Sequence, residues 1–338
     1  MLHLQPLFDL LKTPKRIVLI AHSRPDADAM GACLGLKLYF ERTGHIADVI
    51  VPDDFPHFLD WMTGADKAWV HQKKSKTCFA ILSQSEIIFC CDFNSLKRID
   101  RLGQDVEKMN QAIMVMIDHH QDPDHFANFE LWDDNASSTC ELIYYFIAAA
   151  GDEELIDAEL GAVLYAGIAM DTGVFQYSNT TPKVHILAAN LISKGVHIET
   201  IHNNLFNQYK ENRLRFIGYL LSQKLEVLAE ERTAFMSITM KEAEEYKLGT
   251  GDKEGIVNMP LTMKNIDIAI LFTEDRDKIK ISFRSKGDVN VDAFARTYFN
   301  GGGHINASGG SSTKNLEETL VYLKEVLPIF INNKTELN

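Results

Sequence analysis

Apolar residues gather into short unbroken runs at Arg16 to Ala21, Ala47 to Val51, Ile87 to Cys91 and Ala112 to Ile117, each followed by polar residues. Runs of this length, rich in Val and Ile, predict parallel strands buried on both faces, since half-exposed strands would alternate. Helical spacing lies between them. Asp28 to Arg42 places Met30, Leu34 and Leu38 at i, i+4 intervals, with Gly44 positioned to end the helix. Ser138 and Glu141 form an S-x-x-E capping box ahead of the apolar run that ends at Ala150. Strands and helices alternating from about residue 16 to 190 predict a doubly wound α/β domain with a mainly parallel sheet.

From Thr181 to about Lys224 the pattern is almost entirely helical and ends in the periodic stretch Glu211 to Leu225. Strand candidates return at Ala234 to Thr239, Ile266 to Phe272 and Lys278 to Arg284, then a helix at Val291 to Phe299 and a glycine cluster. The expected organisation is a catalytic domain over 1–190, a helical connector over 191–225 and a smaller α/β domain over 226–338. No internal repeat or low-complexity tract interrupts it.

The length of 338 residues accommodates two domains. With 46% apolar and 24% charged residues, the composition is that of a globular protein and excludes a disordered or fibrous one. A net charge of −13, against which Lys73, Lys74 and Lys76 form only a short basic cluster, argues against long duplex nucleic acid as a partner. A small phosphorylated ligand stays open, because bound cations can supply positive charge locally. Five cysteines without C-x-x-C spacing point to a reducing compartment and core positions. Met1 to Lys15 does not read as a secretion signal, and no apolar run approaches a membrane span, so a cytoplasmic protein without a membrane partner is expected.

Four segments place His or Asp just after a predicted strand: His22-Ser-Arg-Pro-Asp26-Ala-Asp28, Cys91-Asp92, Asp118-His119-His120 and Met170-Asp171-Thr-Gly173. Singly, each has an ordinary explanation as a solvated loop, a core histidine, a helix cap or a turn. Together they would converge on one rim of the sheet, where α/β proteins bind ligands. A cluster so rich in carboxylates is too repulsive to persist without cations, and its oxygen and imidazole donors suit Mn²⁺, with Zn²⁺, Co²⁺ or Mg²⁺ as alternatives. Pro25 can open a helix, which sets Asp26 and Asp28 near a helix N-terminus. Two carboxylates one residue apart point in different directions and so suit two metals rather than one. Gly31 and Gly35 would let this helix approach the sheet closely.

The set His22-x-x-x-Asp26-x-Asp28, Asp92, Asp118-His119-His120 and Asp171 resembles the four motifs of the DHH phosphoesterase superfamily. Gly301-Gly302-Gly303-His304 with Ala307-Ser308-Gly309 resembles the signature of the DHHA1 domain. One domain of each kind, with nothing appended, resembles the nanoRNase subfamily, which degrades oligoribonucleotides and dephosphorylates 3′-phosphoadenosine 5′-phosphate (pAp). The resemblance implies that His22 and Asp26 bind one metal, that Asp28, His119 and Asp171 bind the other, and that Asp92 bridges them. It implies that His120 faces the substrate phosphate or leaving group, that Asp118 orients the His pair, and that a metal-activated water attacks phosphorus in line. Ala32 and Ser308 depart from the family pattern, both small for small. The implied substrates are short single-stranded RNA or mononucleotides, with cyclic or linear dinucleotides as an alternative, and a homodimer is expected from the resemblance alone. A reading from another class is a non-catalytic nucleotide- or RNA-binding protein, which the complete ligand set disfavours.

Consecutive glycines permit close backbone approach, so the N–H groups of Gly301, Gly302 and Gly303 could point at an anion; a turn after the preceding helix is the plainer explanation. His304 and the strand-end Arg284 favour substrate binding, because a forked guanidinium and an imidazole suit a terminal phosphate or base. Arg98 is a further candidate for a phosphate contact, with a solvent-exposed helix position as its alternative.

Overall fold

The computed structural model describes residues 4–208, 210–249 and 251–335, so the outer limits of the expected domains and the start of the segment considered as a signal lie outside the described residues. The chain divides into two compact units, Met1–Gln208 and Tyr209–Asn338.

The first unit carries strands β1 (Arg16–Ala21), β2 (Ile46–Val51), β3 (Trp69–Val70), β4 (Ile87–Cys91), β5 (Ile113–Asp118) and β6 (Phe129–Trp132). Its helices are α1 (Gln5–Leu10), α2 (Ala27–Arg42), α3 (His71–Leu82), α4 (Asp100–Val106), α5 (Thr139–Ala150), α6 (Ala158–Asp171), α7 (Pro182–Ser193) and α8 (Ile198–Phe206). The strands form a parallel sheet in the order β3-β2-β1-β4-β5-β6. Alternate residues of β1 enter two separate cores: Ile17, Leu19 and Ala21 pack on the side of α2, α5 and α6, while Val18 and Ile20 pack on the side of α3 and α4. Burial of both faces is why this strand reads as an unbroken apolar run. The strand order reverses between β1 and β4, and the crevice outside the carboxyl ends of these strands is where such sheets hold ligands.

Three of the four motif segments sit at strand ends as expected. His22 follows β1, Asp92 follows β4, and Asp118 closes β5. The fourth does not: Asp171 is the last residue of α6. Helix α6 is capped by Asp157 and buried nearly all round, from Leu160 to Ala169, so it shows no helical stripe in the sequence. Gly31 and Gly35 also act differently from expectation. A Cβ on Gly31 would lie 2.5 Å from the Val163 carbonyl oxygen, and one on Gly35 would lie 2.7 Å from Leu164 Cδ2. These glycines therefore admit α6, not the sheet. Gly167 answers from α6, where an added Cβ would lie 2.4 Å from Cys140 Sγ and 2.6 Å from Asp28 Oδ1. The S-x-x-E box is half formed. Ser138 accepts from the Glu141 N–H, whereas Glu141 reaches the N–H and hydroxyl of Ser137 at 2.7 Å, one residue earlier than expected.

The second unit holds α9 (Glu211–Tyr219), α10 (Met240–Glu245), α11 (Val291–Tyr298) and α12 (Leu316–Thr335) around strands β7 (Glu226–Leu228), β8 (Thr233–Ile238), β9 (Ile268–Glu274), β10 (Ile279–Ser285), β11 (Gly302–His304) and β12 (Ala307–Ser312). Its sheet is mixed, in the order β11-β12-β10-β9-β8-β7, with only β8 and β9 running parallel. The span expected as a connector is divided, α8 belonging to the first unit and α9 to the second. No helix among the described residues is long and apolar enough to cross a membrane.

The helix packing generates a paired prediction. Gly167→Ala gains helix propensity of about 1 kcal/mol, but overpacking against Cys140 and Asp28 costs about 1–3 kcal/mol, so it should lower the melting temperature. Gly218→Ala, in α9 with nothing near its Cβ position, should leave stability unchanged or raise it. Thermal unfolding of both variants checks this; a Gly167→Ala protein as stable as wild type would show that the α2–α6 contact tolerates a methyl.

Candidate metal centre

His22 leaves the end of β1 with its Nδ1 donating to the Ser23 carbonyl at 2.9 Å, which fixes the bare nitrogen at Nε2. That Nε2 lies 3.3 Å from Asp92 Oδ2 and 3.9 Å from Asp26 Oδ2. Arg24 takes a left-handed turn, φ 57°, tied by its N–H to Asp53 Oδ1 at 2.6 Å, and Pro25 then leads into α2. Asp26 is the N-cap of α2. Its Oδ1 accepts from the N–H groups of Asp28 and Ala29 at 2.9 and 3.0 Å, which turns Oδ2 toward His22.

Asp28, two residues on, faces elsewhere and is fully buried. Its oxygens accept from the N–H groups of Thr139, at 2.7 Å, and Cys140, at 2.9 Å, the first residues of α5. His119 donates from Nδ1 to the Ala136 carbonyl at 3.3 Å, so its Nε2 faces Asp171 Oδ2 at 3.2 Å and Asp28 Oδ2 at 3.9 Å. Of the histidine pair that the motif assigns to Asp118, only His120 is bonded to it, through Nδ1 at 2.7 Å, while His119 Nδ1 donates to the Ala136 carbonyl. Asp118 Oδ2 is buried with no hydrogen-bond partner, and His120 is the more exposed histidine of the pair.

Asp92 lies between the two groups, in a left-handed conformation of φ 66° with its N–H bonded to the Ile117 carbonyl at 3.0 Å. Oδ2 faces His22, while Oδ1 faces His119 at 3.5 Å. Donor atoms of His22, Asp26 and Asp92 lie within 4.8 Å of one another, as do those of Asp28, His119 and Asp171. The sequence motifs are thus brought together as two adjoining triads.

These contacts set acceptor against acceptor. With each Nδ1–H committed to a carbonyl, the lone pairs of His22 Nε2 and His119 Nε2 point at carboxylate oxygens, which is stable only with a proton or a cation between them. Burial opposes charging of His22, but the hydrogen bond to Asp92 and the charges of Asp26 and Asp92 outweigh it and raise its pKa, with Arg98 opposing from nearby. Burial likewise opposes charging of His119, and Asp171, Asp92 and Asp28 raise its pKa well above the usual imidazole range. Burial also raises the Asp92 pKa, yet the hydrogen bond from His22 and the imidazoles prevail and hold its carboxyl low. Asp28 is pushed well up by burial and by Asp92 and Asp171. The donors are carboxylate and imidazole, a set that suits hard or borderline divalent ions, and the five cysteines are buried and free.

Thr139, Cys140 and Asn179, which no motif in the sequence singles out, hold the site too. Thr139 also donates its hydroxyl to Asp92 Oδ1 at 2.9 Å, and Asn179 ties the Asp171 carbonyl to that of Ser137 at 3.1 Å each. The capping signal at Ser138 was the available clue, because a helix start offers N–H groups that need acceptors.

Arg98 places its carbonyl 2.8 Å from the Ser23 N–H. In the second unit, Arg284 pairs with Ala307, and Ala307 pairs with His304. Directly opposed residues share a face, so Arg284 and His304 lie on one side of the sheet, ~10 Å apart across Ala307, and Arg284 Nη1 donates to the Phe283 carbonyl at 2.9 Å. The glycine N–H groups differ from expectation. Gly301 donates to the Ala295 carbonyl and Gly303 to Asp292 Oδ1, so helix α11 takes both. The glycines serve close strand pairing, since a Cβ on Gly301 would lie 2.0 Å from the Gly309 carbonyl oxygen. Ser308, which departs from the family pattern, closes the hairpin by donating its hydroxyl to the His304 carbonyl at 2.8 Å.

The DHH family N-terminal domain matches residues 16–168 and the DHHA1 domain matches residues 236–328. The bifunctional oligoribonuclease and PAP phosphatase NrnA of Bacillus subtilis is 29% identical over 299 residues, covering 87% of this chain and 88% of that protein. The protein of the same name from Thermus thermophilus is 26% identical, covering 90% and 86%. An exopolyphosphatase-related protein from Bacteroides fragilis has a crystal structure with a TM-score of 0.94 and 34% identity over 98% of this chain and 97% of that one. With both domain signatures in order and the motif residues gathered into one centre, the chain belongs to the DHH–DHHA1 phosphoesterase superfamily and is a metal-dependent hydrolase.

Proposed function

We propose that this protein is a cytosolic, exo-acting nanoRNase that hydrolyses short oligoribonucleotides and also converts pAp to AMP and phosphate. The observation that carries the reading is Asp92, whose two oxygens address two separate triads. The names of the Bacillus and Thermus relatives support the substrate class. Catalysis is assigned to the first unit, within the expected residues 1–190, and substrate binding to the second, within 226–338, the residues between being shared by the two units. His22 and Asp26 would hold one divalent ion, Asp28, His119 and Asp171 a second, and Asp92 both, with Mn²⁺ as the proposed metal. When bound, such ions neutralise phosphoryl charge and lower the pKa of water.

The chain's own groups do the rest. Asp118 pins Nδ1 of His120, which leaves Nε2 to meet the phosphate or to pass a proton to the leaving oxygen. Arg98, near His22, is assigned to a substrate phosphate. Arg284 and His304, with Gly301, Gly302 and Gly303 shaping the hairpin, are assigned to the substrate's distal nucleotide. The acidic chain suits short substrates, whose charge is met at the site rather than along a basic groove.

Incubation with Mn²⁺ and pAp, a 5′-labelled diribonucleotide, a cyclic dinucleotide or polyphosphate tests the assignment. AMP and mononucleotides should accumulate from the first two, and Asp92→Ala should abolish both products and lower metal content while the circular dichroism spectrum stays unchanged. Turnover of polyphosphate alone would replace the nucleotide reading; full activity in Asp92→Ala would remove the two-metal one.

Arg284→Ala and His304→Ala should divide the substrates. Loss of a charged hydrogen bond worth about 1.5–3 kcal/mol lowers kcat/KM about ten- to a hundredfold for pAp and the dinucleotide. For bis-p-nitrophenyl phosphate the change should be small, and metal content should not move. Equal losses on all three substrates would mean that these residues support the fold instead.

A further inference from the structure

We infer that Thr139 is a positioning residue whose hydroxyl holds Asp92 in the bridging orientation, so that the pairing of the two cations depends on a side chain that is not itself a ligand. The inference rests on the two-cation reading above. Thr139 is fully buried and is the first residue of α5, directly after the N-cap Ser138. Its N–H donates to Asp28 Oδ2 at 2.7 Å and its hydroxyl to Asp92 Oδ1 at 2.9 Å. One residue therefore fixes a carboxylate of the second triad and the carboxylate shared with the first.

The hydroxyl is the part that matters for bridging. A carboxylate can bridge with each oxygen serving a different cation, and it chelates when it rotates to give both to one. Asp92 Oδ2 is turned toward His22, while Oδ1, facing His119, spends one lone pair on the Thr139 hydroxyl. Rotation would break that bond in a fully buried place, at the cost of leaving a desolvated hydroxyl without it. The hydroxyl thus leaves Oδ1 with its remaining lone pair for the second cation only. Threonine suits the task because its branched Cβ restricts χ1, so the hydroxyl direction is set in advance.

Metal-stripped wild type, Thr139→Val, Thr139→Ala and Thr139→Ser are titrated with Mn²⁺, free ion being followed by electron paramagnetic resonance and bound pairs by their spin coupling. Wild type and Thr139→Ser should bind two coupled ions per chain. The valine and alanine variants should keep the first ion but bind the second about 10- to 100-fold more weakly, giving uncoupled signals at equal loading. If valine disturbs folding by circular dichroism, alanine against serine decides. Two coupled ions at wild-type affinity in the variants lacking the hydroxyl, or equal losses in serine, would overturn the role of Thr139 alone. Fewer than two ions in wild type would overturn the two-cation reading and this inference with it.

Discussion

Mutual repulsion among Asp26, Asp28, Asp92 and Asp171, relieved by positive charge placed among them, is the constraint on which the first unit turns. Asp28 and Asp92 are almost wholly removed from water, so solvent screens little of that repulsion. Two imidazoles meet the carboxylates nitrogen-first, their other nitrogens spent on carbonyls. Against the opposing effect of burial, the surrounding carboxylates draw the His22 and His119 pKa values upward, which favours positive charge at those nitrogens. Cations bound there would displace the protons, and charge that destabilises a closed core would become binding energy for metal.

The fold delivers this arrangement by ordinary means. Parallel strands β1, β4 and β5 end on one rim, and the reversal of strand order opens the crevice beside β1 and β4. Asp171 arrives from a helix instead. Its position at the C-terminal end of α6 is unfavourable for an anion, which adds to the demand for a cation. Close contact of α6 with α2, allowed by Gly31, Gly35 and Gly167, brings Asp171 within reach of His119. The start of α5 supplies the N–H groups that hold Asp28.

Much of this was legible in the sequence because buried parallel strands and acidic strand ends leave local signals. β1 could be read from six residues, and His22, Asp26, Asp28, Asp92 and His119 from their neighbours in the chain. Helix α6 could not, since burial on all sides erases its period and left Asp171 looking like a strand end. Thr139 was illegible for a different reason. Its partners Asp92 and Asp28 lie 47 and 111 residues away, and a buried hydroxyl leaves no pattern of its own. The glycines at 301 to 303 announced close backbone approach correctly, but not that α11 would take the N–H groups of Gly301 and Gly303.

Two cation sites sharing one carboxylate would give the motif residues a single joint role. Diffraction data collected at the manganese absorption edge, from crystals grown with Mn²⁺, test it most directly. Two anomalous peaks are expected ~3.5–4 Å apart, one bounded by His22, Asp26 and Asp92 and the other by Asp28, His119, Asp171 and Asp92. A single peak, or peaks away from Asp92, would contradict it.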